Sequence, residues 1–512
     1  MPLRDALASA SHNRMHEMDS MNLSNIAWAF ALVGCDHVPL FEVISASSLR
    51  MIKDFGAQEL ANIAWSYAKL FLQYDPLLEA LACSSMRRID EFASQHISNT
   101  AWAFAAIDFL HAPLMPVIAA SSILTIESFD PQGLAMTAWA FASLKVDNRP
   151  LLDAIAAASM RTIWQKVKYA FSDGDIRSLS FSILALSWAL AFLPPFDPET
   201  RAALQGYLQV LGHRSDKNAA ATASVTSQHR RQLGRLSLSA SALVHRGEMM
   251  ESLASGLQGS STYTRGAEAD KPKLLIRARG MLVLCKPPGW EVDSVANQSG
   301  AACLSEFLQE HFGQCDFPLL HSVGYGFGFV HRLDVASSGL VLVGSTFEGL
   351  FALQWQKSVY GIEREYLVVS HGLEVFGLRT VDVKVKILVG KVMRTQTGDV
   401  GLPAASYLRT IAQLLGCAVA GCRHSVIAIR IHTGRRHQIR AHTRAIGHPT
   451  ACDGWYAPSA TTLFSKGMFG PAPARAWVRT PRWDGELSAP PQELEGQVFT
   501  VVAPARGSSA ST

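Results

Sequence analysis

Two runs in the C-terminal half of the chain bring reactive side chains together. In the first, His331-Arg332-Leu333-Asp334-Val335-Ala336-Ser337-Ser338-Gly339-Leu340, an acid sits between a cation and a Ser-Ser-Gly turn, just ahead of an apolar strand. In the second, Ile431-His432-Thr433-Gly434-Arg435-Arg436-His437-Gln438-Ile439-Arg440-Ala441-His442, cations and donors crowd into twelve positions, followed by Ile446-Gly447-His448-Pro449 and Asp453-Gly454-Trp455-Tyr456. Two shorter runs accompany them: Leu284-Cys285-Lys286-Pro287-Pro288-Gly289 and Arg364-Glu365-Tyr366-Leu367-Val368-Val369. A carboxylate in such a setting can act as a nucleophile or accept a proton. The same spacing also fits an Asp that caps a turn beside an Arg. From Val400 to Cys452 there is no Asp or Glu, while seven Arg and five His fall in that window. Such a stretch repels itself, and a polyanion such as RNA relieves it. Arginines scattered over a surface are the alternative. His432, His437 and His442 are five apart, which is not the i, i+4 spacing of a helical metal site, so no metal is assigned.

These runs need a frame. From Met281 onward the pattern is of short β-rich runs, Met281–Cys285, Gly339–Val343, Glu365–Val369 and Val426–Ile431, separated by turns and brief helices. That predicts an α+β domain on a mostly antiparallel sheet.

The N-terminal half is built differently. Pro2, Pro39, Pro76, Pro113 and Pro150 recur every 37 residues, and so do Trp28, Trp65, Trp102 and Trp139; a further copy, at Trp188, follows after 49. Leu23, Ile26, Ala27, Phe30 and Ala31 form one apolar stripe of a helix, and a second helix opens at the Pro of each unit. One such pair cannot bury its apolar face alone, so stacking into an α-solenoid of helical pairs is predicted. The Trp and Phe of each unit are expected in the core. Polar positions in register, Asn25, Asn62 and Asn99, and Arg50, Arg87 and Arg161, are the better candidates for RNA contact. Met1-Pro2-Leu3 is in register with Pro39-Leu40, so the chain is expected to begin inside a repeat, as a truncated gene model or partial protein would, the alternative being a lone capping helix.

At 512 residues, with 48% hydrophobic and 17% charged residues, the chain supports several buried cores, and a net charge of +4 decides nothing about partners. Eight Cys without a CxxC pair argue against a disulfide scaffold or zinc ribbon. No apolar run reaches the roughly 20 residues that span a bilayer; the nearest, Ile183–Phe196, reads as a buried helix, and no membrane partner is expected. The predicted organisation is a helical-repeat domain over 1–212, a flexible Ser/Ala/Gly-rich linker over 213–272, a catalytic domain over 273–505 and a disordered tail over 506–512.

In order and spacing, the HRLDxxxSGL and TGRRHQIRxH…IGHP…D runs resemble the RluA family of RNA pseudouridine synthases, over about 275–460. The helical pairs resemble the octotricopeptide and heptatricopeptide arrays of organellar RNA-binding proteins, which favours a mitochondrion or plastid. The first resemblance implies a cofactor-free isomerisation of uridine in RNA, in which the base leaves C1′, rotates and rejoins through C5. It implies Asp334 as the reacting carboxylate, Arg440 as the cation that keeps it ionised, and Tyr366 as a ring that stacks on the uracil and assists loss of the C5 proton. Arg332 would enter the RNA stack, because the base must be flipped out to be reached. Lys286, Arg435, Arg436 and His437 would steady phosphates or the motif itself. Ser337 and Arg364 depart mildly from the family's usual Thr and Lys, and the family's closing segment is not recognisable after Tyr456. The expected partner is a uridine-containing RNA, single-stranded or with a flipped base, bound by a monomer. The rival readings are an RNA-binding scaffold with an inert synthase domain, and a gene model that fuses two unrelated proteins.

Overall fold

The structure is a computed structural model. It describes residues 8–234, 271–293, 302–388, 394–457, 476–478 and 492–493, apart from 12–13, 15–16, 194, 400, 416–422 and 452. Most of the expected linker, the tail after 505 and most of the Pro/Arg/Trp-rich stretch 470–483 lie outside these residues. The chain divides into two compact units, one of Met1–Leu211 together with Gln354–Ala503, the other of Gly212–Leu353. The repeats therefore share a unit with the later half of the catalytic region.

The first unit opens with the helical array: α1 (Ser20–Leu32), α2 (Val38–Arg50), α3 (Ala57–Lys69), α4 (Asp75–Arg87), α5 (Ser94–Ala106), α6 (Leu114–Leu124), α7 (Pro131–Ser143), α8 (Arg149–Tyr169) and α9 (Asp173–Phe192). The local reasons recur every 37 residues. The second helices α2 and α8 start on capping side chains, with His37 Nδ1 accepting from Leu40 N and Asn148 Oδ1 from Leu151 N. The first helices α1, α3, α5 and α7 each end in a left-handed residue, Gly34 (φ 66°), Phe71 (55°), Asp108 (55°) and Lys145 (56°). The next N–H then returns five residues, as Phe109 N does to Phe104 O, closing the helix end.

Leu23, Ala27 and Ala31 are buried as the stripe predicts, and so are Phe104 and Phe141. The tryptophans are not core. Trp28 is 42% exposed, and Trp65, Trp102, Trp139 and Trp188 are half-buried, with the Trp65–Trp102 and Trp139–Trp188 rings 6.3 and 6.5 Å apart. Small Ala residues fill the interhelical seam and leave the indoles at its rim. Helix α9 is long and apolar enough to cross a membrane by length and composition alone, yet half of it is buried in the array. The next helix, α10 (Pro198–Gly234), runs through the boundary expected at 212.

In the second unit α10 meets α12 (Phe347–Ser358), whose first turn is capped by Asp216, its oxygens accepting from Phe347 N (2.8 Å) and Glu348 N (3.1 Å). An antiparallel sheet of β1 (Lys273–Ala278), β2 (Met281–Lys286) and β3 (Gly339–Gly344) packs on α11 (Leu304–His311) through Leu282, Leu284, Leu304, Leu308, Val341 and Val343.

The later half of the catalytic region, in the first unit, contains β4 (Arg364–His371), β5 (Leu378–Asp382), β6 (Lys384–Leu388), β7 (Arg394–Gly398), β8 (Ala405–Leu415), β9 (Arg423–Ile431), α13 (Gln438–Ala445), β10 (Ala476–Val478) and β11 (Gln492–Glu493). Strand β9 lies between β4 and β8, and the far edge of β8 is shared by β5 and β10; β6 and β7 form a separate hairpin. All these pairings are antiparallel, as expected.

Candidate active site

The loop that carries Asp334 is fixed from both sides. Val330 N donates to Leu342 O (3.1 Å) and Leu342 N to His331 Nε2 (3.2 Å), so the loop folds back on β3. Ser337 N donates to Asp334 O (2.9 Å), closing the turn that presents the acid. The other clamp is Lys286, the last residue of β2. Its side chain is fully buried, and its ammonium donates to the carbonyls of Pro287 (3.1 Å), Trp290 (2.9 Å) and Val335 (3.2 Å). Gly289 N donates to the same Val335 oxygen (2.8 Å). Burial lowers the Lys286 pKa to about 8, with the charge of Asp334 opposing the shift. A saturated, buried ammonium holds the Asp334 loop and leaves no donor for a phosphate.

Arg332, beside that loop, is exposed. Its Nη1 lies 3.1 Å from Asp293 Oδ1 and 3.7 Å separates Nη2 from Glu291 Oε1. The arginine end of these pairs faces solvent while the acids are mostly buried.

The second run sits between β9 and the end of α13, and most of its polar side chains hold the run itself. Thr433 Oγ1 donates to Gln438 Oε1 (2.9 Å) and accepts from Ala405 N (3.1 Å). Gln438 Nε2 donates to Ala405 O and Ser406 Oγ, both at 2.9 Å, and its Oε1 also takes Arg435 N (3.0 Å). His442 is buried, with Nε2 on Val383 O and Nδ1 on Ser406 Oγ, both 3.0 Å; burial lowers its pKa and keeps it neutral.

Within this frame the arginines diverge. Arg436 is exposed. Arg435 is turned inward, its Nε donating to Pro403 O (3.2 Å) and its guanidinium 5.7 Å over the ring of Trp188 from the repeats. Arg440 is gripped by Asp453: Nε to Oδ2 at 2.6 Å and Nη2 to Oδ1 at 2.7 Å. The rings of Trp455 and Tyr456 lie 5.2 and 4.7 Å from the same guanidinium. Asp453 is buried, and its Oδ1 also accepts from Trp455 N (3.1 Å) and Tyr456 N (3.3 Å).

His437 is left-handed (φ 50°) at the start of α13, with Nδ1 3.1 Å from Tyr456 Oη. Thr395 N donates to that same oxygen (2.8 Å), so the phenol can donate to His437. Tyr366, on β4 opposite Ile429, is half-buried against the Leu408–Ile427–Ile429 core. A shallow hollow beside it is lined by Glu365, Leu367, Arg409, Ile411 and Ala428. The acid-free window is relieved in part from outside itself, by Glu363 on Arg430 (3.4 Å) and by Asp453 on Arg440.

The structure thus gathers Lys286, Arg332 and Asp334 in the second unit and Tyr366, Arg435, Arg436, His437 and Arg440 in the first. Sequence reasoning gave no role to Asp453, Gln438, His442 or Tyr456. The signal for two of them was present, since Asp453 and Tyr456 belong to the Asp-Gly-Trp-Tyr run that trails the motif.

The chemistry available is a carboxylate on a rigid loop in one unit and a clamped guanidinium with an aromatic wall in the other. Residues 280–445 match the family described as RNA pseudouridylate synthase, and residues 3–188 match the RNA-editing substrate-binding complex 6 protein. The ribosomal large subunit pseudouridine synthase D of Nitrosomonas europaea is 30% identical over 242 residues, 46% of this chain and 62% of that protein. The protein of the same name from Neisseria meningitidis serogroup A is 33% identical over 183 residues, 34% of this chain and 43% of the relative. The chain thus spans less than two thirds of these relatives' length. The solved structure of human RNA pseudouridylate synthase domain containing 1 shares 20% identity over 45% of this chain and 85% of its own, with a TM-score of 0.30, too slight to carry an argument. The motif order, the antiparallel sheets and these matches agree that the C-terminal half of the chain is similar to RNA pseudouridine synthases of the RluA type, joined to an N-terminal array of helical pairs.

Proposed function

We propose that the chain isomerises uridine to pseudouridine within RNA. The N1–C1′ bond of the nucleoside breaks, a C5–C1′ bond forms, C5 loses its proton and N1 ends protonated. The reaction is balanced without a cofactor. Asp334 carries it, as nucleophile or as base toward the sugar, and Arg440 is the guanidinium assigned to the same reaction. Tyr366 stacks on the extruded uracil and assists the C5 proton. Arg332 enters the helix stack, and Arg436 meets phosphate. Lys286, Arg435 and His437 hold the loops that carry the reacting groups, through the Lys286 ammonium on Val335 O, Arg435 Nε on Pro403 O and His437 Nδ1 at Tyr456 Oη.

The observation that supports this reading best is the clamp on Arg440. A buried carboxylate and two aromatic rings fix a cation within the motif. The array is proposed to hold a single-stranded segment of the same RNA along Asn25, Asn62 and Asn99 and the exposed Arg50 and Arg87. One copy of the chain suffices for this, and an organelle, mitochondrion or plastid, is the proposed compartment on the repeat resemblance alone. Crosslinking the chain to cellular RNA and mapping pseudouridines lost on its depletion tests the whole reading. Lost sites should lie beside crosslinked segments. An RNA bound by the chain with every pseudouridine retained would favour the inert scaffold.

A further inference from the structure

The repeats meet the synthase through a matched polar rail. Alternate residues Asp382, Lys384 and Lys386, at the end of β5 and along β6, share one side of an extended segment. Each pairs with the loop of a successive repeat. Lys145 Nζ lies 3.3 Å from Asp382, Lys384 Nζ is 2.8 Å from both oxygens of Asp108, and Lys386 Nζ donates to Gln73 Oε1 (3.2 Å). Segment and array run in opposite directions, and the signs of the ion pairs alternate along the rail.

Asp108 is the centre. Its side chain is 5% exposed, and Oδ2 also accepts from Gly401 N (2.8 Å). Gly401 has φ 140°, and a Cβ there would lie 2.5 Å from the Val385 carbonyl, so only glycine brings this N–H to the carboxylate. Three polar contacts on one buried carboxylate exceed what a repeat needs for its own fold, since Gly34 and Phe71 occupy the same left-handed position without any.

The other side of the segment leads to the motif. The Val383 carbonyl, between Asp382 and Lys384, accepts from His442 on α13. Across the hairpin, β7 presents Thr395, whose Oγ1 donates to Arg436 O (2.8 Å) and whose N–H donates to Tyr456 Oη. Tyr456 packs on the Arg440 guanidinium. The β6–β7 hairpin and these side chains thus link the array to the Arg440 end of the motif, while Arg435 meets Trp188 of the array directly.

We infer that the array braces the synthase through Asp108, which acts as a positioning residue for the Arg440 motif by way of Lys384 and the β6–β7 hairpin. The inference rests on the synthase reading for its catalytic half and on geometry alone for its docking half. Asp108→Gly is the cleanest variant, because it deletes the carboxylate while easing the positive φ. Lys384→Met and the exchanged pair Asp108→Lys with Lys384→Asp accompany it, all in the full chain. Two readouts are taken: amide hydrogen exchange at Val383–Lys386, and kcat and KM on a C5-tritiated transcript of large-subunit ribosomal RNA.

Exchange should quicken about tenfold in both single variants and kcat should fall about tenfold with KM unchanged, the exchanged pair recovering much of both. Unaltered exchange would overturn the docking. A rise in KM with kcat intact would overturn the positioning role and make the contact part of RNA holding. Wild-type chain that turns over no uridine, alongside quickened exchange in the variants, would overturn the synthase reading on this RNA and keep the docking.

Discussion

The ammonium of Lys286 donates to the carbonyl of Val335, the residue next to Asp334, and is itself completely buried. Of the two roles the resemblance offered this cation, phosphates or the motif itself, its hydrogen bonds serve the second, as a tie between two loops. Lys286→Met should take the ammonium from three carbonyls, of which Val335 O keeps Gly289 N, at roughly 1–3 kcal/mol of stability. The resulting drift of the Asp334 loop should lower kcat on the order of 100-fold, with little change in RNA affinity. Denaturation and steady-state kinetics on the same preparation check both.

The same lysine predicts a split between activity and stability at alkaline pH. Its pKa is about 8 in the folded chain, below the ordinary lysine value near 10.5. Above pH 8 the neutral amine has two hydrogens for three carbonyls, so turnover should decline. Between these two values the unfolded chain holds more protons at this group, so its contribution to stability rises with pH. Wild-type turnover at pH 9.5 should be lower than at pH 7.5 without loss of thermal midpoint attributable to Lys286, the Lys286→Met variant being the reference.

Asp453→Asn should release one edge of Arg440 while preserving an acceptor for Trp455 and Tyr456 N–H. The uncompensated, mostly buried guanidinium should cost about 3 kcal/mol and reduce kcat by about 100-fold. Equal kcat in the variant would separate Arg440 from catalysis.

Gly434 is bare for a steric reason. A Cβ there would lie 2.2 Å from Arg364 Nη1, whose neighbour Nη2 donates to His432 O (3.1 Å). Gly434→Ala should destabilise the chain by roughly 1–3 kcal/mol. Placed on an Arg364→Ser background the same change should cost less than about 0.5 kcal/mol, since the clash has gone; a double-mutant cycle by denaturation reads the difference.

His371 and His424 face each other across β4 and β9, ring centroids 4.9 Å apart. Burial, with His424 as a second cause, lowers the His371 pKa to about 4; burial lowers that of His424. Both folded values lie below the unfolded value near 6.5, so the unfolded chain binds more protons between the two. This contribution to stability is full above pH 6.5 and is lost as pH falls toward 4. Thermal midpoints at pH 7 and 5 should differ less in His371→Phe than in the wild-type chain.

Much of this was legible in the residues because the signals are local. The 37-residue comb fixes helix positions through caps and apolar stripes, and Met281–Cys285, Gly339–Val343, Glu365–Val369 and Val426–Ile431 all lie on observed strands. The strands between 378 and 415 were missed. Leu378–Asp382 exposes four of its five residues and so lacks alternation, and β8 carries a bulge between Thr410 and Ala412. The tryptophans were misplaced because periodicity tells which face a residue shares, not how deep the neighbouring helix lets it go. The roles of Asp453 and Lys286 depend on partners 13 and 49 residues away, and spacing cannot say whether a cation meets a carbonyl or a phosphate. The rail on Asp108 joins residues 276 apart, and no local pattern announces it.

The most direct measurement is tritium release from RNA labelled at uridine C5, since forming the C5–C1′ bond expels that hydrogen. Wild-type chain should release tritium into water and leave pseudouridine in the RNA, while Asp334→Asn should bind the same RNA and release none above background. Release by the Asp334→Asn chain at the wild-type rate would contradict the assignment of the reaction to this carboxylate.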